Sequence, residues 1–219
     1  MIFSSSRASS RASSITSSIT SSISIQFQFN FKNNKMKNYL LIIGLLISNF
    51  IIAQEIETSN NYSVLKNSIE KTRNNFLNNL PNPYNWTNDF ETIFSKDEEA
   101  NLNQIITDFE KETTAEIAIV TLDTLIVSKE NFDELSLHIA KTWRIGKKEK
   151  SNGILIAISK GHRQIRIQNG DGIVPILSDE ETTEIILNQM IPYFKKEKYF
   201  EGTQSGLLKI IELLKNRLK

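Results

Sequence analysis

The chain of 219 residues contains no cysteine, which excludes disulfide bonds, thiolate metal sites, a cysteine nucleophile and a lipid-modified N-terminal cysteine. Its two histidines, His138 and His162, are too few for a three-histidine zinc site and leave little choice for a histidine-based triad. The formal net charge of +1 gives no global field that favours nucleic acid or an anionic membrane as a partner. A metal site without histidine or cysteine uses oxygen ligands, which suit hard cations such as Ca²⁺.

Residues 1–35 contain no acidic residue and are dominated by serine, with the tracts RASS and SSIT each occurring twice in succession. Such a composition cannot bury a core, so this low-complexity segment is excluded from the predicted fold. It resembles an organellar transit peptide, or it is non-native sequence ahead of a true start at Met36. We favour the second interpretation because Met36 begins a self-sufficient signal peptide.

The predicted signal peptide covers residues 36–53. Lys37 supplies the basic region, the apolar region runs from Leu40 to Ile52, and Ala53 is a small residue suited to cleavage. The apolar region is shorter than the roughly 20 residues that a membrane span needs. The sequence therefore predicts an exported protein, periplasmic or secreted, and an uncleaved membrane anchor is the alternative.

Residues 54–82 are polar and asparagine-rich, with weak helical spacing that includes Phe76 and Leu80. We interpret them as a linker that can contain a docking helix. Pro81 and Pro83 stop any helix at this point and mark a domain boundary. Residues 83–219 then have a usual length for one domain with its own core.

Alternating helix and strand patterns follow within this domain. The capping-box sequence Ser95 to Glu98 predicts a helix over 96–111, and the apolar stretch Ile117 to Leu122 predicts a central strand. A stripe of apolar residues predicts a second helix between Asn131 and Gly146. Ile154 to Ser159 predicts another buried strand, which makes the two strands parallel neighbours joined by a crossover helix.

After this crossover, the continuous apolar pattern of a buried strand gives way to alternation of polar and apolar residues. Residues 164–168 alternate polar and apolar, which predicts a half-buried strand that forms a hairpin with the preceding one. Two helices complete the pattern, one capped by Ser178 and ended near Pro192, the other over about 203–218. The predicted fold is α/β: a three-layer α/β/α sandwich with a small, mostly parallel sheet that includes a hairpin, and about four helices.

Open α/β sheets bind ligands at the carboxyl ends of their strands. This rule selects Asp123, the turn at Lys160 and Gly161, and the segment Gly170 to Gly172 as candidates. Each has a structural alternative, because an acid after a strand can cap a helix. Asp89 can instead act as a turn former, and the acids near Ser178 can instead act as helix caps.

Arginines at the hairpin could bind phosphate or carboxylate, although only one of Arg163 and Arg166 can face a cleft on an alternating strand. Enzyme motifs fail on inspection. Gly202 to Gly206 has its serine one position away from the nucleophile-elbow spacing, and Gly170-Asp171-Gly172 lacks the third glycine of a dinucleotide fingerprint. No catalytic machinery stands out from the residues alone.

A series of motifs, each weak alone, runs through the domain from about Pro83 to Leu218. They are Asn88-Asp89, Ser95 to Glu99, Glu112-Thr113, Trp143, Gly146, Asn152 to Ile156, Arg163, Ile167, Gly170, Gly172, Pro192, Tyr199 and Gly202. In their order and spacing they resemble the TPM domain family, named for a thylakoid lumen protein, a photosystem II repair protein and a nematode receptor accessory protein. The style of the sequence resembles bacterial members from Bacteroidetes.

The resemblance implies an α/β/α sandwich and a role in binding Ca²⁺ or Mg²⁺, with weak acid phosphatase activity in some members. Carried over by position, Asp89 and Asp123 are the candidate cation ligands, and Asp171 is a possible replacement ligand. Arg163, Asn152 and Gly170 are the candidate cleft residues. Ser151 and Gln168 depart from the family pattern because members often carry acids there, which weakens the catalytic part of the inference.

Two functions therefore remain open. The first is an exported, cation-binding accessory or interaction module, monomeric, whose partner is a periplasmic or membrane protein. The second is a divalent-metal-dependent acid phosphatase, with Arg163 neutralising charge. We favour the first because no nucleophile or general base is recognisable. We expect no nucleic-acid partner and no membrane span after the domain.

Overall fold

The structure, a computed structural model, describes residues 34–217. Most of the predicted low-complexity segment, residues 1–33, therefore lies outside the described residues. The chain divides into two units, one ending at Tyr62 and one beginning at Ser63. Helix α1 (Asn34–Asn78) contains the predicted apolar region. From Ile42 it is the one helix in the described part that is long and apolar enough to cross a membrane, a property that signal sequences share.

The second unit is built on a four-stranded sheet in the order β1-β2-β3-β4. β1 pairs parallel with β2, β2 pairs parallel with β3, and β3 pairs antiparallel with β4. The predicted parallel neighbours and the predicted hairpin are thus confirmed. The strands are β1 (Thr87–Asp89), β2 (Glu116–Thr121), β3 (Gly153–Ser159) and β4 (Gln164–Asn169).

Helices flank this sheet, and both predicted capping boxes form. The side chain of Ser95 accepts from the N–H of Glu98, and the side chain of Ser178 accepts from the N–H of Glu181. Such a cap contributes about 1 kcal/mol to the stability of its helix. The remaining elements are α2 (Lys96–Thr113), α3 (Phe132–Thr142), α4 (Asp179–Ile185), a π-helical segment (Ile186–Met190), α5 (Ile191–Phe194) and α6 (Tyr199–Arg217).

Two hydrophobic cores lie on opposite faces of the sheet, as the alternation of β2 and β3 requires. Ile119 and Ile156 are fully buried in the first core, against α2, α4 and α6. Val120 and Leu155 are fully buried in the second core, against α3 and the residues Phe76 and Leu80. Each such side chain stabilises the fold by about 1.5–3 kcal/mol through burial. The predicted α/β fold is confirmed, with more helical segments than predicted.

Pro192 does not end the helix that begins at Ser178, contrary to the prediction. The chain widens into the π-helical segment and then continues as α5, which has Pro192 in its first turn. The missing N–H of a proline is tolerated there because the first turn leaves its donors unpaired anyway. This arrangement brings Met190 and Phe194 onto α6 at Gly206 and Gly202, where even a Cβ atom would lie within 3.0 Å of them.

Candidate functional site

The carboxyl ends of β1, β2 and β3 meet at one edge of the sheet because these strands are parallel. We call this the carboxyl edge. Three segments form it: the loop 90–95 after β1, the loop 122–131 after β2, and the turn 160–163 between β3 and β4. Two predicted site residues, Asp89 and Asp123, lie here, and so does Arg163.

Asp89 ends β1, and its carboxylate organises the loop that follows. Oδ2 accepts the N–H of Phe94 at 2.8 Å and Oδ1 accepts the N–H of Ile93 at 3.2 Å. Oδ1 also accepts the hydroxyl of Thr121 at 2.5 Å, which joins β1 to the end of β2. Asp89 therefore has the turn-forming role that the sequence left as an alternative, and three hydrogen bonds already use its oxygens.

Glu91, which the sequence did not single out, links the loop after β1 to the end of β2 and to the turn between β3 and β4. Its N–H donates to the hydroxyl of Thr121 at 2.9 Å. Its carboxylate accepts the N–H of Lys160 at 2.7 Å through Oε2 and the N–H of Gly161 at 2.7 Å through Oε1. A Cβ atom at Gly161 would lie 2.4 Å from Cγ2 of Thr124, so glycine is needed for this close approach. The turn at Lys160 and Gly161, which the sequence selected as a candidate, is thus the partner of Glu91 in this contact.

The pKa of the Glu91 carboxyl is raised above its usual value. Partial burial is the main cause, and the negative charges of Asp123 and Asp89 add to it. The two backbone N–H bonds from Lys160 and Gly161 act in the opposite direction and are outweighed. The carboxyl edge is therefore a place where negative charge is crowded.

Asp123 accepts the fewest hydrogen bonds of the three carboxylates. Its Oδ1 accepts the N–H of Leu125 at 2.7 Å, and its side chain is half-buried. A carboxylate has about four lone-pair positions. Hydrogen bonds occupy three of these positions at Asp89, two at Glu91 and one at Asp123. Asp123 and Glu91 thus keep the most capacity to bind a cation.

The carboxylates of the carboxyl edge suit a cation that keeps part of its water shell better than one that is enclosed by protein ligands alone. Within residues 34–217, no three histidine or acidic side chains stand grouped as a ligand set for a metal ion. Mg²⁺ is commonly bound by one or two carboxylates while it retains several waters. Asp123 and Glu91 offer that number of carboxylates.

Cationic and aromatic side chains border the carboxylates. Nζ of Lys160 lies 5.4 Å from the ring centroid of Tyr199, within cation–π range. The pKa of Tyr199 is raised, first by burial and then by the carboxylates of Glu197 and Glu91, whereas Arg163 lowers it. Arg163 is exposed and has a positive φ of 53° in the turn. Lys160 and Arg163 thus place positive charge beside Tyr199, at the rim of the carboxyl edge.

The two histidines take no part in this cluster. Nε2 of His162 lies 2.9 Å from the carbonyl oxygen of Val127, and the side chain is half-buried. His138 is exposed on α3. Since one fixes a loop and the other points to solvent, neither offers a general base beside Asp123.

Comparisons with known proteins agree with this architecture. A model of the TPM domain family matches residues 87–213, more than half of the chain. This chain belongs to the TPM domain family. No curated protein matches it.

Two solved structures resemble this TPM domain. The N-terminal domain of a protein from P. gingivalis is 27% identical, with a TM-score of 0.56, and the match covers 61% of this chain and 83% of that one. The BA42 protein from Bizionia argentinensis is 22% identical, with a TM-score of 0.51, and the match covers 58% of this chain and 86% of that one. The second likeness shows the fold alone.

The other three predicted site residues of this TPM domain lie at the opposite, amino edge of the sheet. β4 runs antiparallel to β3, so the chain returns and Gly170 donates its N–H to the carbonyl of Gly153 at 2.9 Å. Asp171 follows there and is exposed. A strand of six or seven residues separates the edges by about 20 Å. Asp171 therefore cannot share one cation with Asp89 and Asp123.

Asn152 has a structural role at the same amino edge. Its Oδ1 accepts the N–H of Lys147 at 2.9 Å, and its Nδ2 donates to the carbonyl of Thr114 at 3.0 Å. It joins the end of α2 to the loop before β3 and is nearly fully buried. The predicted cleft residues thus divide, with Arg163 at the carboxyl edge and Asn152 and Gly170 at the amino edge.

A helical segment outside the TPM match supports the carboxyl edge. Nη2 of Arg73 donates to the carbonyl of Thr124 at 2.8 Å, next to Asp123. Phe76 packs edge-on against Phe90, with ring centroids 5.6 Å apart, next to Glu91. The polar stretch predicted as a linker therefore does contain a docking helix. Its end holds the loops that carry the two carboxylates with the most free capacity.

Proposed function

We propose that this TPM domain is an exported interaction module with a hydrated Ca²⁺ or Mg²⁺ site at Asp123 and Glu91. The observation that carries the proposal is the position of Glu91 and Asp123 on the loops of the carboxyl edge, where partial burial first, and repulsion from Asp123 and Asp89 second, raise the pKa of Glu91. A divalent cation would relieve that repulsion. Bound there, it would stiffen the loops after β1 and β2 for a partner protein.

The export half of the proposal rests on the apolar region Leu40–Ile52 behind Lys37. Expression in a bacterial host, followed by fractionation and mass determination of the mature N-terminus, tests it. Export predicts cleavage after Ala53 or retention of the whole chain in the membrane fraction. A full-length chain in the cytoplasmic fraction would contradict export.

Titration calorimetry of the full chain with CaCl₂ and MgCl₂ tests the cation site. Asp123→Asn keeps the shape of the side chain and removes its charge, so it should weaken cation binding by about tenfold or more. Asp171→Asn is the matched control, since it removes an exposed acid at the amino edge. Equal affinities in the two variants, or no heat with either salt, would refute the site.

Lys160 and Arg163 at the rim favour a second candidate, a divalent-metal-dependent acid phosphatase. A bound cation would polarise a phosphoryl oxygen and activate water. Arg163 and Lys160 would hold the substrate's anionic oxygens, while Asp123 and Glu91 would hold the cation. Hydrolysis of p-nitrophenyl phosphate that EDTA abolishes and that Asp123→Asn lowers would favour the enzyme. Cation binding without such hydrolysis would favour the interaction module over the phosphatase.

A further inference from the structure

A groove of about 640 Å³ lies at the amino edge, between α3 and the β3–β4 hairpin. Its volume falls in the range of pockets that bind small ligands or peptide side chains. It is separated from the carboxyl edge by the length of the strands. Gly170 and Asp171, which the sequence selected as site residues, line it.

Basic side chains dominate the wall of this groove. Lys141, Arg144, Lys147 and Lys148 line it against a single acid, Asp171. Lys147 is neutralised, since its Nζ lies 2.6 Å from Oε1 of Glu116 and 3.2 Å from Oε1 of Glu110. Within residues 34–217, no carboxylate lies within 4.0 Å of the other three cations, and these are exposed. Three positive charges are thus available to an anionic ligand.

The floor of the groove is apolar. Ala140, Ile145 and Leu155 line it, and Leu137 on α3 stands at its border with 41% of its surface exposed. A small inorganic anion gains nothing from such a floor. A ligand that carries both carboxylates and apolar side chains uses both parts of the groove.

The backbone around the groove is held in place before any ligand binds. The N–H of Gly146 donates to Oε2 of Glu116 at 2.7 Å, and the N–H of Gly172 donates to the carbonyl of Ser151 at 3.0 Å. A Cβ atom at Gly153 would lie 2.0 Å from the carbonyl oxygen of Ile145, so the two segments are in close contact. A preformed groove lowers the ordering cost of binding.

We infer that this groove binds an acidic peptide segment of a partner protein. Acidic side chains of the peptide contact Lys141, Arg144 and Lys148, and an apolar side chain packs against Leu137. The inference gives a partner chemistry to the interaction role proposed above and rests on it. It does not depend on the cation, so the two can fail separately.

Fluorescence anisotropy of the full chain with a labelled peptide of alternating Glu and Leu tests the inference, with the Gln-Leu peptide as the uncharged comparison. The Glu-Leu peptide should bind equally with EDTA or with Ca²⁺, and its affinity should fall steeply as NaCl rises. Preference for the Gln-Leu peptide, or affinity indifferent to salt, would overturn the inference. Binding that requires Ca²⁺ would place the peptide at the cation site instead.

Two variants separate the charged wall from the apolar floor. Reversal of three groove charges, K141E, R144E and K148E together, should weaken peptide binding by about tenfold or more. The matched control reverses three exposed lysines outside the groove, K71E, K195E and K196E. Leu137→Gln should also weaken the peptide but should leave binding of inorganic phosphate unchanged. Both variants change exposed side chains, and circular dichroism checks that they fold.

Three results would overturn the inference. The first is equal loss in the groove variant and the control. The second is a silent Leu137→Gln with full displacement of the peptide by inorganic phosphate, which would make the groove an anion site only. The third is concentration-dependent self-association in sedimentation experiments that the groove variant abolishes, which would make a second copy of this chain the occupant.

Discussion

Oε1 of Glu91 accepts the backbone N–H of Gly161 at 2.7 Å, a contact between residues 70 positions apart. Together with the neighbouring bond from Lys160, it connects the loop after β1 with the turn after β3. β2 lies between these two strands, so the contact spans the end of the central strand. The carboxylate of Glu91 therefore connects the two loops directly.

Glu91→Gln should destabilise the fold and weaken cation binding together. Glutamine has one acceptor oxygen, and its amide group would face one of the two N–H donors. The loss should be about 1 kcal/mol, since water reaches the half-exposed site and replaces part of the bond. Urea unfolding and calorimetry with CaCl₂ measure the two effects. Glu134→Gln on the exposed face of α3 is the control, and equal effects of the two changes would contradict the role of Glu91.

Arg73→Ala should weaken the carboxyl edge although Arg73 binds no ligand. Its guanidinium holds the carbonyl of Thr124, and a hydrogen bond from a charged group contributes about 1.5–3 kcal/mol. We expect faster amide hydrogen exchange at Leu125, whose N–H bonds to Asp123, and lower cation affinity. Lys71→Ala, an exposed change on the same helix, should do neither. Unchanged exchange at Leu125 in Arg73→Ala would show that the helix does not support the loop.

Alanine should be tolerated at Gly206 and not at Gly202. Alanine in a helix gains about 1 kcal/mol over glycine. At Gly206 the new Cβ meets the flexible side chain of Met190, 2.6 Å from Cγ, so the effect should be near neutral. At Gly202 it meets the ring of Phe194 at 2.5 Å and the carbonyl oxygen of Met190 at 3.0 Å, so overpacking should cost about 1–3 kcal/mol.

Thermal unfolding compares the two glycine variants. Phe194→Leu in the Gly202→Ala background should restore part of the loss, because it removes the ring that the new methyl group meets. Equal melting temperatures of Gly202→Ala and Gly206→Ala would argue against the close approach of α5 to α6.

The ion pair between Glu181 and Arg217 should stabilise the fold down to acid pH. Hydrogen bonds from Arg217 lower the pKa of Glu181 to about 2, from about 4.5 in the unfolded chain. The stabilisation is therefore fully present above about pH 4.5 and is lost as the pH falls through about 2. The difference in unfolding free energy between the wild type and Glu181→Gln should shrink over that window. A difference independent of pH would mean that the pair contributes nothing; Glu184→Gln controls for loss of an acid on α4.

The sequence predicted the central elements well because their signals are local. The capping box at Ser95 and the buried apolar stretch before Asp123 depend on neighbouring residues alone, and both form as predicted. β1 was missed because Thr87, Asn88 and Asp89 are polar and few. They form a strand because β2 pairs with them and because the side chain of Asn103 accepts the N–H of Thr87 at 2.7 Å.

The candidate site was only half predictable, because it depends on strand direction and on distant contacts. Asp123 follows from the rule about carboxyl ends, which needs only a parallel strand. From the sequence we grouped Asp171 with Asp123. Because β4 runs antiparallel to β3, a residue that follows β4 lies at the amino edge of the sheet, away from Asp123. Glu91 acts through N–H groups of Lys160 and Gly161, and no local pattern marks such a contact.

The π-helical segment Ile186–Met190 accommodates one more residue than α-helical turns would need between Ser178 and α6. Deletion of one residue within it would let the segment return to the α-helical pitch with little rotation of the residues beyond it. Phe194 would then keep its position near Gly202, and the cap at Ser178 would stay in place. We therefore expect a deletion in this segment to be tolerated better than an insertion, whereas the exposed turn 195–198 that follows α5 should accept changes in length of either kind.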